Sequence, residues 1–191
     1  LSMLDLLAPS LALGLAFGRM GCFMSGCCWG DLCVQPQQLV ELSATQRLQV
    51  QTFPSLSPAT MPLAVQFPPT SGAFEQHHKL GLVSHHEQKS LPVHPTQLYE
   101  VLMALTLCVV LNTRFKRKMH NGDILWFAGL GYSVMRFSVE FFRAESPQIY
   151  FGSLTFSQMV SLWIAVCSIV GFCLVRVIYR LQLAEQPKVA E

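Results

Sequence analysis

The stretch Leu154–Ile178 reads LTFSQMVSLWIAVCSIVGFCLVRVI and decides the structural class of the protein. It contains a single charged side chain, that of Arg176. It is longer than the roughly 20 apolar residues that a helix needs to cross the hydrocarbon core of a bilayer. This stretch therefore predicts a transmembrane helix in an integral membrane protein.

Three further apolar segments precede it. Leu4–Phe17 is short for a span, and Leu98–Asn112 is bounded by polar residues. Ile124–Phe142 is long enough to cross a bilayer although it contains Arg136 and Glu140. Together the segments predict an all-α integral membrane protein with about four transmembrane helices and an irregular outer-face domain between the first and second.

The composition agrees with spans joined to a sizeable polar segment. The chain is 51% hydrophobic and only 13% charged, whereas soluble domains carry about 25% charged residues. The net charge is +2, and the basic residues lie in loops rather than on one face. This pattern argues against nucleic-acid binding.

The basic residues also predict the orientation in the membrane. Four of them crowd the loop at 114–118, and Arg176, Arg180 and Lys188 occur at the end of the last span and after it. The positive-inside rule places both regions in the cytoplasm. Both termini then lie inside, and the segments Gly21–Val93 and Ala144–Ser153 lie on the outer side of the membrane.

These assignments divide the chain into seven parts. Membrane helices are predicted at 1–20, 94–113, 123–143 and 154–178. The connections are an outer-face loop domain at 21–93, with short strands at Leu63–Phe67 and Leu80–Val83, a cytoplasmic loop at 114–122 and a cytoplasmic tail at 179–191. Because the chain begins with Leu1 and enters an apolar stretch at once, we expect further sequence upstream.

The third predicted span carries the clearest chemical pattern. Tyr132, Arg136, Glu140 and Arg143 are spaced by three or four residues and therefore share one face of a helix. A charge near the centre of a bilayer costs about 2.5–3.5 kcal/mol on insertion scales, so such groups face protein or water. Arg136 and Glu140 form either a structural ion pair or part of an anion site in which arginines bind a phosphate.

A glycine-rich stretch follows the first apolar segment. Gly18–Asp31 reads GRMGCFMSGCCWGD, and its glycines allow close backbone approach, as in loops that bind phosphate. The alternative is a tight turn beside a snorkelling arginine, Arg19. Cys22, Cys27, Cys28 and Cys33 match no zinc-ligand spacing, so we expect no metal site.

A third cluster begins the second span, where His94–Glu100 reads HPTQLYE. His94 titrates near neutral pH and is a candidate base or hydrogen-bond donor. A proline-initiated helix with interfacial polar residues explains Pro95 and Tyr99, but it does not explain Glu100 inside an apolar segment. We expect Glu100 to pair with an arginine from another segment.

These clusters resemble the motifs of the prolipoprotein diacylglyceryl transferase family. His94–Glu100 resembles the family's His-Pro-Ser-Gln-Leu-Tyr-Glu, and Tyr132–Arg143 resembles its Tyr-x-x-x-Arg-Phe-x-x-Glu-x-x-Arg. Gly18–Gly30 resembles Gly-Arg-x-Gly-Asn-Phe-x-Asn-Gly-Glu-x-Trp-Gly, and Leu154–Ile178 resembles the last span. The resemblance implies transfer of the diacylglyceryl group of phosphatidylglycerol to the lipobox cysteine of a prolipoprotein. A thioether forms, glycerol phosphate leaves and no cofactor is needed.

The resemblance also implies roles for individual residues. Arg19 and Arg136 would hold the lipid headgroup at the outer face of the membrane, and Glu140 would orient Arg136. The expected catalytic residues are Arg19, His94, Tyr132, Arg136 and Glu140. The expected substrate-binding residues are Gly30, Gln97, Glu100, Arg143, Cys22 and Cys27.

Three departures from the family bear on the function of this chain. Cys22 replaces an asparagine and Cys27 replaces a glutamate of the family's glycine-rich motif. The family's early spans and their His-Gly-Gly motif, which carries a proposed catalytic histidine, have no counterpart here, where about four of seven spans remain. Two alternatives therefore stay open: an inactive or altered homologue that binds anionic phospholipid, and a membrane thiol, redox or metal-binding protein.

Overall fold

The computed structural model describes residues 1–30, 32–33, 63–84, 86–118, 120–143, 149–151 and 154–185. Within these ranges the helices are α1 (Ser2–Ser25), α2 (Gly72–Lys79), α3 (Thr96–Phe115), α4 (Asp123–Glu140) and α5 (Phe156–Glu185). Strands β1 (Ile149–Phe151) and β2 (Leu154–Thr155) form an antiparallel pair before α5. The described part is mostly helical, as the sequence predicted.

Three of these helices are long and apolar enough to cross a membrane: α1, α3 and residues Phe156–Gln182 of α5. Their outward faces carry large apolar side chains. Exposed examples are Leu6, Leu11, Phe17, Leu102, Val109, Trp163, Leu174 and Leu181. Apolar surface of this extent is unusual on a soluble monomer, so the fold is compatible with the predicted all-α membrane protein.

The helix α4 does not belong to that set of three. It has 18 residues and includes Asp123, Arg136 and Glu140. It packs mainly against α5, whereas α1 packs mainly against α3. In both pairs, small residues let the helices approach closely, as in membrane helix packing. Gly129 faces Ser168, and Gly171 faces the ring of Trp126.

The first helix is longer than the apolar run Leu4–Phe17 from which it was predicted. It continues through the glycine-rich stretch to Ser25 and ends in a Schellman motif. Gly26 adopts the left-handed conformation with φ 62°, which a glycine does without steric cost. The amide of Gly26 donates to Phe23 O, and the amide of Cys27 donates to Cys22 O, each at 3.1 Å.

Asp5 fixes the start of α1 against the start of α4. Its side chain is completely buried, and its two carboxylate oxygens accept hydrogen bonds from Gly122 N at 2.8 Å and Leu125 N at 2.9 Å. Lys118 Nζ lies 3.5 Å from the same carboxylate. Asp5 therefore satisfies amides at the N-terminus of α4, a role that side chains of the helix's own N-cap normally perform.

Two apolar clusters run along the helices that α1 contacts. The first contains Ala8, Ala12, Leu111 and Ile124. The second contains Ala16, Val101, Ala104 and Met135. The alanines of α1 recur every four residues and so form one small-residue stripe, which allows close packing against α3 and α4.

A separate small core consists of residues that lie between α1 and α3 in the sequence. It is formed by Trp29, Phe67, Ala73 and Val93. Val93 pairs in isolated β-bridges with Leu32 and Val65. The predicted strand at Leu63–Phe67 is thus reduced to one bridge, and the segment predicted as a strand at Leu80–Val83 forms turns.

The predicted outer-face domain also contains a helix that the sequence pattern did not indicate. Ser71 begins α2 by accepting a hydrogen bond from Phe74 N at 3.2 Å. Residue 31, residues 34–62 and residue 85 of the predicted domain lie outside the described residues, as do much of the predicted outer loop after α4 and the tail from residue 186.

Candidate functional site

Charged side chains from α1, α3 and α4 meet at one point. Arg19 Nε lies 2.7 Å from Glu100 Oε2, and Arg136 Nη1 lies 3.5 Å from Glu100 Oε1. Arg136 Nη2 lies 3.4 Å from Glu140 Oε2. The expectation that Glu100 pairs with an arginine from another segment is met twice. We call Arg19, Glu100, Arg136, Glu140 and Arg143 the charged cluster.

Arg143 is the fifth member because it also acts electrostatically on Glu100. The chain after α4 forms an isolated β-bridge between Arg143 and Gly30. Both carboxylates are buried, with Glu100 4% and Glu140 6% exposed. Three guanidinium groups against two carboxylates leave one surplus positive charge in the cluster. Such an arrangement attracts a monoanion and can donate charge-assisted hydrogen bonds to it.

The start of α5 completes the support of Arg136 and Glu140. Arg136 Nη2 donates a hydrogen bond to Ser157 Oγ at 3.0 Å. Thr155 Oγ1 donates to Glu140 Oε1 at 3.0 Å. Gln158 and Thr155 bind each other's backbone amides, at 3.0 and 3.3 Å, as a capping box does. These bonds hold two members of the charged cluster in defined positions.

Thr155 was not among the residues selected from the sequence. The signal was present, because Thr155-x-x-Gln158 before an apolar run is the pattern of a capping box. Its contact with Glu140 was not visible in that pattern, since it depends on how α4 and α5 pack.

His94 is almost fully buried just before α3, the helix that carries Glu100, and only 1% of its surface is exposed. Its Nδ1 lies 3.2 Å from Tyr99 Oη, and its ring packs against Phe142. Burial lowers the pKa of His94 below its ordinary value of 6.5. The imidazole is therefore neutral at neutral pH and able to accept a proton.

Gly30 lies where three chain segments converge. A Cβ atom at this position would meet Phe142 O, Thr96 Cγ2 at 2.6 Å and His94 Cβ at 2.7 Å. The amide of Gly30 donates to His94 O at 2.9 Å. The structure thus requires a glycine here so that the loop after α1 can approach α3.

Gln97 is completely buried in the first turn of α3. Its Nε2 donates to Cys27 O at 2.6 Å, which orients the amide. Its Oε1 has no hydrogen-bond partner among the described residues. A buried acceptor without a partner is costly, so this oxygen suits a ligand or water that donates a hydrogen bond.

The two cysteines expected at the site lie together at the end of α1. Cys27 Sγ donates to Cys22 O at 3.6 Å. Burial, followed by a hydrogen bond with the Cys22 side chain and repulsion from Cys28, raises the pKa of Cys27 to about 11. As a free side chain, Cys27 is therefore a protonated thiol at neutral pH.

Tyr132 lies one turn before Arg136 on α4 and packs against the apolar cluster of Ala16 and Met135. It makes no hydrogen bond with any residue that the structure describes. Its expected catalytic contact remains a prediction. The other expected residues lie in the charged cluster, at the end of α1, or in the loops and the first turn of α3.

An apolar groove of about 370 Å³ lies between α3 and α4. Its walls are almost entirely apolar, and Met135, next to Arg136, is one of them. The lining residues are Leu102, Met103, Thr106, Leu107, Val110, Gly131, Val134, Met135 and Ser138. The volume and the apolar lining of the groove suit a hydrocarbon chain.

Comparison with known proteins gives one consistent family. Residues 1–174 match the family model described as prolipoprotein diacylglyceryl transferase. Curated relatives named phosphatidylglycerol–prolipoprotein diacylglyceryl transferase include that of Xylella fastidiosa strain M12, which is 30% identical over 193 residues. The relative from Clostridium tetani is 28% identical over 172 residues, and that from Nitratidesulfovibrio vulgaris is 31% identical over 166.

The matches cover most of this chain but only part of each relative. They cover 98%, 90% and 85% of the chain in the order given. The corresponding shares of the relatives are 58%, 53% and 46%. The chain therefore spans about half the length of the curated relatives that it matches.

Proposed function

The chain belongs to the prolipoprotein diacylglyceryl transferase family, and we propose that its charged cluster binds the phosphate of phosphatidylglycerol for transfer of the diacylglyceryl group to a prolipoprotein. The acceptor is the thiol of the lipobox cysteine. In this reaction the bond between the glyceryl carbon and the phosphate oxygen breaks, and a carbon–sulfur bond forms. Glycerol phosphate leaves, and the thiol proton passes to a base.

The surplus positive charge of the charged cluster is the observation that carries the proposal. Arg19 is paired with Glu100 at 2.7 Å. A phosphodiester beside this pair gains hydrogen bonds from guanidinium groups whose positions are already set by Glu100, Glu140 and Ser157. The same groups stabilise the extra negative charge that develops on the departing glycerol phosphate.

His94 is the proposed general base of this chain. The thiolate, not the thiol, is the nucleophile, so a group must take the proton of the lipobox cysteine. The neutral imidazole of His94 meets that need chemically, and Tyr99 restrains its ring. Gln97 Oε1, which has no partner among the described residues, suits a hydroxyl of the glycerol headgroup.

The apolar groove between α3 and α4 is the proposed place for an acyl chain. It lies along the same two helices that contribute Glu100 and Arg136 to the charged cluster. A diacyl lipid whose phosphate lies at the charged cluster would direct its tails along the helices. The groove and the charged cluster together thus match the two chemical halves of a phospholipid.

We further propose four crossings, with α4 as the third, in the bacterial cytoplasmic membrane. The charged cluster joins the end of α1, the start of α3, the end of α4 and the start of α5. The opposite end holds Asp5, Lys118 and a small basic pocket that includes Arg114, Arg117 and Arg176. The positive-inside rule then supports a cytoplasmic basic end and a charged cluster at the outer face.

Two observations support a second candidate function. Cys22 and Cys27 occupy motif positions at which the resemblance expects asparagine and glutamate, and the chain spans about half of its relatives' length. A homologue that binds anionic phospholipid without transferring it would have the charged cluster and the groove but no productive acceptor site.

Expression in a bacterium depleted of its own transferase separates these functions. Mass spectrometry of a lipobox peptide measures transfer, and binding of the purified chain to phosphatidylglycerol or phosphatidylcholine nanodiscs measures headgroup recognition. We expect a diacylglyceryl adduct and preference for phosphatidylglycerol. We expect the adduct and the lipid preference to be lost in Arg19→Ala, and also in Arg136→Lys because lysine lacks the bidentate fork of arginine. Both should be retained in the control Arg180→Ala, whose side chain is exposed.

The remaining outcomes are equally informative. Preference for phosphatidylglycerol without an adduct supports the lipid-binding homologue. The assignment of the charged cluster as a headgroup site is contradicted if the protein gives neither an adduct nor a preference for phosphatidylglycerol. This conclusion requires protein whose helical circular dichroism and melting temperature equal those of the Arg180→Ala control.

A further inference from the structure

We propose that the thiols of Cys22, Cys27 and Cys28 form a binding site for a single thiophilic metal ion of the Cu(I) or Zn(II) class. The sulfur atoms of these three residues all lie within 4.8 Å of one another. Soft thiolate ligands select such ions in proteins. The site is chemically distinct from the charged cluster and does not depend on the proposed transfer activity.

The sulfur positions are close to those that a metal requires. A metal–sulfur bond of about 2.3 Å in tetrahedral geometry separates two sulfur ligands by roughly 3.8 Å. The three thiols therefore need to move inward by about 1 Å or less, which rotation of the side chains provides. All three are partly buried, so an ion can reach them from outside.

The end of α1 explains why these cysteines converge. In a Schellman motif the residue at C″ folds back over the residue at C3, and these two side chains commonly touch. Here C3 is Cys22 and C″ is Cys27, joined by the backbone hydrogen bond from Cys27 N to Cys22 O. The motif thus brings two thiols together where other helices have an apolar contact.

Cys28 joins the pair through an uncommon backbone conformation. It is the single non-glycine residue with positive φ in the described part of the chain, at 58°. Neighbouring cysteines in extended backbone point to opposite sides. The left-handed turn at Cys28 instead directs its thiol to the side of Cys22 and Cys27, so the adjacent residues Cys27 and Cys28 can both contact one ion.

Contacts with α3 hold the backbone of the site in place. Gln97 Nε2 donates to Cys27 O at 2.6 Å, and Thr96 Oγ1 donates to Cys28 O at 2.9 Å. The loop is therefore positioned before an ion binds, and only side-chain torsions remain to be ordered. Binding will in turn stiffen the contact between this loop and α3.

The test uses the purified full chain in detergent, reduced and free of oxygen. Cu(I) is titrated against a chromophoric chelator, and Zn(II) is titrated in the same way in a second arm that identifies the preferred ion. We expect one high-affinity ion per chain. Each of Cys22→Ser, Cys27→Ser and Cys28→Ser weakens binding at least tenfold, whereas Cys167→Ser and Cys173→Ser, exposed on α5, do not.

Thermal unfolding provides a second readout. An ion that binds the folded state alone raises the melting temperature, and we expect this rise in the wild type and in Cys167→Ser but not in Cys27→Ser. Affinity that is equal in all five variants would overturn the proposal. The proposal would also be overturned by a thiol titration showing that two of these three cysteines form a disulfide that resists reduction, since thiolate ligands would then be lost.

Discussion

Arg19 Nε, near the end of α1, lies 2.7 Å from the carboxylate of Glu100, near the start of α3. The other oxygen of Glu100 lies 3.5 Å from Arg136 on α4. One buried carboxylate thus connects two guanidinium groups from different helices. Because an uncompensated buried charge is costly, Glu100 both orients the arginines and ties the three helices together at the candidate site.

Arg136 lies between two buried carboxylates, so its removal should destabilise the fold. We expect Arg136→Ala to lower the free energy of unfolding by about 3 kcal/mol, the cost of breaking a buried pair. The double variant Arg136→Met with Glu140→Gln removes the uncompensated charge and should recover most of that loss. Unfolding in detergent micelles, followed by circular dichroism, measures both.

Binding to phosphatidylglycerol should respond differently from stability in these two variants. The double variant lacks the guanidinium group and is expected to bind as poorly as Arg136→Ala. Recovery of lipid binding together with stability would show that Arg136 serves only to neutralise the carboxylates.

Gly30→Ala should be strongly destabilising because the added methyl group meets backbone and side-chain atoms on three sides. The loop after α1 must then move away from His94 and Thr96. We expect a loss of roughly 1–3 kcal/mol, as for other overpacked sites. Gly14→Ala is the matched control, because its added Cβ meets no atom within 4 Å apart from the local backbone of its own helix.

The control should behave in the opposite direction. Alanine is favoured over glycine inside a helix by roughly 0.5–1 kcal/mol, so Gly14→Ala is expected to raise the melting temperature slightly. Equal melting temperatures for the two variants would contradict the packing described around Gly30.

Asp5→Ala should loosen the junction between α1 and α4. It leaves the amides of Gly122 and Leu125 without their acceptor in a buried position. We expect a cost of about 2 kcal/mol, within the range for loss of an N-cap or of a buried hydrogen-bond partner. Hydrogen exchange should become faster at Leu125. Ser10→Ala, exposed on the same helix, is the control and should change neither quantity.

His77 predicts a pH dependence of stability. It is 3% exposed, and burial lowers its pKa from 6.5 to about 4. Its Nδ1 accepts a hydrogen bond from Leu91 N at 3.3 Å, which requires the neutral ring. Between pH 6.5 and pH 4 the imidazole is protonated in the unfolded state but neutral in the folded state. The free energy of unfolding therefore falls as the pH falls, by up to about 1.4 kcal/mol per pH unit.

The comparison of His77→Gln with His86→Gln tests this assignment. His86 is exposed, so we expect His86→Gln to lose stability below pH 6.5 to the same extent as the wild type. His77→Gln should have a flatter profile between pH 6.5 and pH 4. Identical profiles for the wild type and both variants would show that His77 titrates normally.

Much of the architecture could be read from local pattern. Apolar length indicated the helices α1, α3 and α5, and the three- and four-residue spacing placed Arg136 and Glu140 on one face of α4, where they lie 3.4 Å apart. The helix α2 could not be read in this way. Its sequence is polar, and it forms where Ser71 caps its first turn and Ala73 packs in the same core as Trp29.

The sequence by itself determined the membrane class, the family resemblance and the residue types of the charged cluster, because these follow from composition and short-range spacing. Tertiary structure decided that Arg19 pairs with Glu100, that Asp5 caps α4 and that three thiols converge beyond α1. The physical reason is that such contacts depend on the rotation of each helix about its axis and on the path of the turns. Both are fixed by packing between segments that lie far apart along the chain.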